Sequence, residues 1–226
     1  MKRFVLLLLL SVLVLPPAVE AQTEEELLDF EGFDFEDPNL NTAEFGAVGD
    51  GYNMFGLVQS ANPTFLTTDF VANEYTVKFC ELTSLGFTDF GCFRFVNYGV
   101  GRLEVYEDSR TTGTAADFGI NPPNATLPST FMDGLLILGG NVNGFSVTLD
   151  NCAGTGSASG DVDFDSGSQL GNIPIDAQKI YTFSGLTSGV PVIPEGFIHQ
   201  VTGSIKIEQA VQVEQSSWGR MKALYR

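Results

Sequence analysis

The chain has 226 residues and a formal net charge of −17, with 28 acidic against 11 basic residues. Nucleic-acid phosphates need a basic footprint, so this balance excludes nucleic acid as a partner and disfavours anionic membrane surfaces in the same way. Glycine (25) and phenylalanine (19) are abundant and tryptophan occurs once, a composition of many turns and a Phe-rich core rather than long charged helices.

Residues 1–21 read as a cleaved secretory signal peptide. Lys2 and Arg3 give a positive start, residues 4–15 are apolar apart from Ser11, and Pro16-Pro17 precedes the small-residue cleavage site Val19-Glu20-Ala21. The mature chain then starts near Gln22 and has about 205 residues, the size of one large β domain. No Cys stands at the cleavage site, so a lipid anchor is not expected. No later segment reads as a membrane helix. The expected location is outside the cytoplasm: secreted, periplasmic or at the cell envelope.

Residues 22–42 form an acidic leader whose end, with Phe30, Phe33 and Phe35, docks as a first strand. From residue 43 to 213 the pattern is β. Tyr75, Val77 and Phe79 alternate with polar neighbours, as do Leu103 and Val105, then Phe145, Val147 and Leu149, then Val162 and Phe164, then Ile205 and Ile207. Period-2 alternation predicts antiparallel strands with one wet and one buried face. Turn signals fall at Gly49-Asp50-Gly51, residues 97–101, Gly139-Gly140, Asn143-Gly144 and residues 188–191, with Asn143-Gly144 a candidate two-residue hairpin turn. Only residues 176–179 and the last dozen residues hint at helix. Short strands in this number predict an all-β fold, an antiparallel two-sheet sandwich of jelly-roll or Greek-key style. Residues 121–129 read as a Pro-rich surface loop, and Asn124 heads a glycosylation sequon that matters only in a eukaryotic host.

Three cysteines sit in a chain bound for a disulfide-permissive compartment. Cys80 and Cys92 flank a turn-like segment, residues 82–91, and could meet across a hairpin. Pairing of either with Cys152 is the alternative, and one thiol is left over in any monomer.

The sharpest candidate for binding chemistry is acidic. If residues 145–150 and 161–165 form a hairpin around a small-residue loop 151–160, Asp150 opposes Asp161 and the apolar faces agree. Asp150, Asp161, Asp163 and Asp165 then share the wet face. Opposed like charges destabilise a sheet, and a bound Ca²⁺ would reverse that cost. A solvated strand face is the plainer reading. Asp34, Glu36 and Asp37 form a second acidic group.

Catalysis has little support. His199, beside Gly196-Phe197-Ile198 at a strand entry, is the only histidine, and no nucleophile elbow, zinc-protease motif or P-loop occurs. Paired carboxylates leave a secreted hydrolase as the distant alternative. A glycan-binding module would use Tyr52, Tyr75, Tyr98, Tyr106 or Tyr181 as platforms, since the one Trp is in the tail.

The tail, residues 214–226, is basic and amphipathic. Trp218, Met221 and Tyr225 recur at helical spacing beside Arg220, Lys222 and Arg226, with Ser217 as an N-cap candidate. Its Trp-Gly-x-x-Lys-x-Leu-Tyr-Arg pattern resembles the ending of assorted exported bacterial proteins. Residues 128–138, from Pro128 through Phe131 and Gly134 to Leu138, are similar to strands of bacterial secreted β-sandwich proteins of the PEP-CTERM type. The Pro-Glu-Pro motif, membrane helix and basic terminus of that sorting signal do not occur. The resemblance implies a bacterial, exported, non-catalytic protein and carries no functional residues with it. The expected function is that of a structural or adhesive envelope or extracellular protein whose tail meets a sorting or docking partner. The alternative is a module binding glycan or Ca²⁺.

Overall fold

The structure is a computed structural model, and residues 22–38, 44–118, 128–175, 181–188 and 193–210 of it are described. Side chains of residues 22–23, 128, 181–188 and 208–210 are not. The signal peptide, the rest of the acidic leader, the sequon at Asn124, residues 176–179 and the tail with Trp218, Arg220, Met221, Lys222, Tyr225 and Arg226 lie outside the described residues. The chain divides into two compact units. One is Glu24–Glu208; the other, Met1–Thr23 with Gln209–Arg226, falls almost wholly outside the described residues.

Nearly all of Glu24–Glu208 is antiparallel β. The strands are β1 (Gln22–Asp37), β2 (Gly51–Ala61), β3 (Asn73–Phe90), β4 (Phe93–Tyr98), β5 (Gly101–Ser109), β6 (Leu135–Asp150), β7 (Thr155–Ser166), β8 (Tyr181–Ser188) and β9 (His199–Ala210). They belong to one nine-stranded sheet whose ladder closes on itself, β1–β2–β3, then β4 and β5, then β6–β7–β8–β9 and back to β1. β5 pairs with the first half of β3 and β4 with its second half, and the same two strands divide β6 between them. β4 and β5 are therefore one bent strand, broken at Gly99-Val100, where the sequence carries its turn signal.

This arrangement replaces the expected two-sheet sandwich. Strands adjacent in sequence are adjacent in space, so the connections are up-and-down rather than Greek-key. Alternation reports one wet and one dry face, which both architectures satisfy; edge pairing separates them and leaves no mark on alternation.

Register explains the core. Met54 opposes Phe79, Phe79 opposes Leu103, Val77 opposes Val105, Val96 opposes Val147, Val147 opposes Ala158 and Val142 opposes Val162. All of these are buried. Directly opposed residues share a face, so one continuous apolar lining runs around the interior. Aromatic rings cross it: Phe79 lies 5.9 Å from Phe30 and 6.3 Å from Phe145, and Phe145 lies 5.0 Å from Tyr52 and 5.4 Å from Tyr98.

The high Phe content also serves a second layer. Phe33, Phe35 and Phe55, on the outer face of β1 and β2, pack against Phe118, Phe131 and Phe197 from loops. The Thr76 hydroxyl donates to the Phe131 carbonyl at 2.8 Å and fastens the 3₁₀ turn Pro128–Phe131 over this face. β1 is thus covered on both sides, with Leu27, Leu28, Phe30 and Phe35 all buried. The solvated leader expected from residue 22 is instead a strand from Gln22. Asp29 and Glu31 alternate with the buried Leu28 and Phe30, and those apolar residues decide the structure.

Four local expectations also change. Residues 82–90 are strand and the turn is Gly91-Cys92, so Cys80 and Cys92 lie far apart along one hairpin arm. Cys92 pairs with Cys152 at a Cα–Cα distance of 5.4 Å, and Cys80 is a buried free thiol. Asn143-Gly144 is a bulge inside β6, with Gly144 at φ 59°, not a hairpin turn. Likewise Gly139-Gly140 lies within β6. The small residues 155–160 form the start of β7, so the β6–β7 turn is confined to residues 151–154.

Candidate functional site

The register of the acidic strand differs from the expected one. Asp150 opposes Thr155, Asn143 opposes Asp161 and Asn141 opposes Asp163. Asp161, Asp163 and Asp165 do face outward, but Asp150 sits at the opposite end of the β6–β7 pairing, about 20 Å or more away at strand rise. The four residues are not brought together. Asp150 instead accepts from the Cys152 and Ala153 N–H groups, both at 3.0 Å, and caps the turn. Asp163 accepts from the Asn143 amide at 3.0 Å. Asp165 takes a two-pronged contact from Arg102, at 2.6 and 3.1 Å, and the Asn141 amide at 3.1 Å. Those Arg102 hydrogen bonds hold the Asp165 carboxyl below its usual range. Neighbouring Arg and Asn side chains thus relieve the like-charge cost that suggested a cation. The group of possible metal ligands that does converge among the described residues is Cys92, Asp150 and Cys152, and two of its three members are joined as a disulfide.

A second constellation was only half visible in the sequence. On β1, residues 34 and 36 point to the interior with Phe30, and both Asp34 and Glu36 are fully buried. The His199 ring sets Nδ1 3.0 Å from Asp34 Oδ1, and the His199 backbone N–H donates to the same oxygen at 2.9 Å. The Asp34 carboxylate also acts on the buried Tyr52 phenol, raising it further. Glu36 accepts from the Tyr98 hydroxyl at 2.7 Å and from the Gly46 N–H at 2.6 Å. Residues 44–50 close this end of the barrel. Phe45 lies edge-on to His199 at 5.0 Å, its carbonyl accepts from Arg94, and the Ser84 hydroxyl donates to the Gly46 carbonyl at 2.7 Å.

Burial sets the electrostatics here. It pushes Glu36 up to about 6, against the lowering effect of its two hydrogen bonds. Burial alone would lower His199, but the facing Asp34 carboxylate and its hydrogen bond carry the imidazole above 6.5. Burial also drives the Tyr52 and Tyr98 phenols well up, so both are donors at any working pH. Asp50, beside this plug, is raised by burial and by Glu44 and Asp37, and its Oδ2 is the buried side-chain polar atom without a hydrogen-bond partner among the described residues. The network has acid–base groups at hydrogen-bond range, yet they face packed aromatic rings. A cavity of about 650 Å³ between β1, β2, β7 and β9, lined by Ser157, Ala158, Ser159, Thr202 and Ser204 among others, shares no residue with it.

The same end of the barrel carries the third feature. The β3–β4 hairpin projects past the start of β2, and the Cys92–Cys152 bridge ties its tip to the β6–β7 turn. Phe90 opposes Phe93 and Thr88 opposes Phe95, so Phe90, Phe93 and Phe95 share the outer face. They are 78%, 43% and 43% exposed, and the Phe93 and Phe95 rings lie 6.4 Å apart with planes 32° from parallel. On the other face Arg94 stacks over Phe87 at 3.9 Å and grips Asp89 at 2.8 and 3.0 Å. The sequence-level sugar platforms are displaced: Tyr52, Tyr75 and Tyr98 are buried, Tyr106 is half-buried beside Glu104, and the Tyr181 side chain is outside what is described. The signal for Phe90, Phe93 and Phe95 was their spacing across a two-residue turn, hidden because residues 82–91 read as a loop. No helix among the described residues is long and apolar enough to cross a membrane.

No protein-family model, curated protein or solved structure matches the chain.

Proposed function

We propose that this chain is an exported, non-catalytic structural or adhesive β protein of the cell envelope or exterior, with the outer face of β4 as its contact surface. One contrast carries the reading. The groups able to move protons, Asp34, Glu36 and His199, are enclosed in the interior, whereas the disulfide-tied hairpin offers solvent the aromatic rings of Phe93 and Phe95. Rigid exposed rings favour binding over turnover. The apolar run at residues 4–15 and the Cys92–Cys152 bridge both suit an oxidising compartment. In this reading the basic end, with Trp218, Arg220 and Lys222, serves sorting or docking.

The test is fractionation of a bacterial host expressing the full chain or its Phe93→Ser/Phe95→Ser variant. The unmodified protein is expected processed at Ala21 and retained on the envelope, and the folded variant is expected in the medium. Unprocessed protein in the cytoplasm, or equal retention of both forms, would overturn the reading. The adjacent exposed rings of Phe93 and Phe95, next to Thr88 and Thr148, favour a neutral glycan as the contact. Co-sedimentation with microcrystalline cellulose and chitin separates that second reading from adhesion to protein or lipid.

A further inference from the structure

We propose that residues 85–90 of β3 are a strand-addition edge that pairs antiparallel with the same edge of a second copy of this chain.

The observation is an open ladder in an otherwise closed barrel. β2 pairs with β3 only as far as Gly51 opposite Thr83. Beyond that point β3 has β4 on one side, from Gly86 opposite Asn97 to Phe90 opposite Phe93, and no ladder partner on the other among the described residues. The chain before β2 turns away as the plug at residues 44–50, with the Gly49 N–H donating to the Ser84 carbonyl and the Ser84 N–H to the Asp50 carbonyl. Natural edges are blunted by Lys, Pro or covering loops. The edge Leu85-Gly86-Phe87-Thr88-Asp89-Phe90 has neither Lys nor Pro, and its one charge is neutralised within its own hairpin by Arg94. The disulfide beside the tip holds the strand preformed, which lowers the ordering cost of pairing.

Symmetry selects the occupant and the register. A two-fold axis through the middle of two antiparallel copies keeps each sheet face on its own side, so opposed residues must have the same parity. Centred on Thr88, the pairing sets Gly86 against Phe90 of the other copy and Phe87 against Asp89. Like charges do not meet. Gly86 has no side chain over a shallow groove of about 390 Å³ lined by Val48, Leu85, Phe87, Thr88 and Asn97. Val48 stands at the position a Cβ on Gly86 would point to. Val48 and Phe90, 80% and 78% exposed, would cover one another reciprocally across the axis, an aromatic ring over an edge glycine. A copy accounts for both halves of this complementarity from the same residues. The bodies are strongly acidic, −17 for the full chain, so pairing tip to tip keeps them apart and tightens as salt screens the charge.

The experiment is sedimentation of the chain from Gln22 across a concentration series, at low salt and at about 0.5 M salt. A dimer is expected that strengthens with salt and weakens about tenfold or more in Leu85→Lys and in Thr88→Lys, which place charges on the edge. Phe93→Ser/Phe95→Ser should leave it intact. A monomer under all conditions overturns the proposal. So does a dimer indifferent to both lysines, or one lost only with Phe93 and Phe95, which would assign it to the adhesive face instead. Amide exchange on the unmodified chain needs no variant: protection at residues 85–90 should rise with concentration, and unchanged exchange in a dimeric sample overturns the pairing.

Discussion

Glu36 governs how this molecule answers to pH. Its carboxyl is held near 6 rather than 4.5 because burial penalises the charged form. Between those values the folded chain keeps a proton that the unfolded chain releases, so stability falls as pH rises, by about 2 kcal/mol at neutral pH. His199 acts in the same direction: its raised value gives stability that is complete below 6.5 and is lost as pH rises through the folded value. Asp89 and Asp165 oppose this. Their carboxyls are lowered by Arg94 and Arg102, so their contributions are present above 3.8 and vanish below it. The melting temperature should therefore rise as pH is lowered from about 8 to 5. In Glu36→Gln the rise should be visibly shallower, as thermal unfolding at several pH values would show; an unchanged slope would remove Glu36 from the account. Asp34 is the structural counterpart. It accepts from both the backbone N–H and the ring of His199. Asp34→Ala should cost about 3–5 kcal/mol in denaturant unfolding, because both donors lose a buried acceptor and the imidazole its facing charge. In Asp34→Asn, which keeps an oxygen but not the charge, the His199 imidazole should titrate lower than in the unmodified chain, read by NMR.

At the scale of elements, the disulfide and the hairpin it ties are the testable pair. Cys92–Cys152 spans 60 residues of sequence, and a loop of that size restricts the unfolded chain enough to stabilise the fold by about 2–4 kcal/mol. Cys92→Ser/Cys152→Ser should lower the urea midpoint accordingly. Alkylation of the denatured, unreduced protein should find one thiol, Cys80, and a count of three would show the bridge unformed. Strand identity was legible where alternation is clean: Tyr75, Val77, Phe79, Leu103, Val105, Val162, Phe164, Ile205 and Ile207 are buried as their pattern requires. The turns around Asp50 and at Gly99-Val100 carried their own residues. Register was not legible. Asn143-Gly144 has the composition of a hairpin turn, yet a bulge satisfies the same positive φ at Gly144, and a shift in where β6 turns moves every partner of β7. Reading residues 151–160 as one loop is what misplaced Asp150, and reading residues 82–91 as a turn is what set Cys80–Cys92 ahead of the alternative pairing with Cys152 that the structure shows. Residues 155–160 were too small and polar to read as strand, and pairing with β6 and β8 on both sides makes them one. The buried network escaped for a related reason. Asp34 and Glu36 look like solvated acids until β9 places His199 over them, a contact across 165 residues that no local pattern reports.

For the whole molecule, charge and burial pull in opposite directions. The interior is packed with aromatic rings and sealed at one end by the Phe45 plug, while the chain carries −17. Few of those charges are offset within the fold: on the described surface Lys78 meets Glu104, Arg102 meets Asp165, Arg110 meets Glu74 and Lys206 meets Glu24. Such pairs contribute little individually, and their N···O distances of 3.5 Å for Lys78 and 3.8 Å for Arg110 are long. Self-repulsion among the remaining acids is therefore a property of the folded surface as a whole, relieved on unfolding as the charges separate. Added neutral salt should raise the melting temperature at pH 8. The gain should shrink at about pH 5, where Glu36 and His199 are protonated and the net charge is smaller. Guanidinium chloride, a salt, should then report a higher apparent stability than urea after extrapolation to water. A melting temperature indifferent to salt at pH 8 would mean that the acids are already compensated, by bound cations or by the basic end of the chain. Repeating the measurement with chelator and on a chain ending at Ser216 would separate those two compensations: only the one that matters would restore the salt dependence.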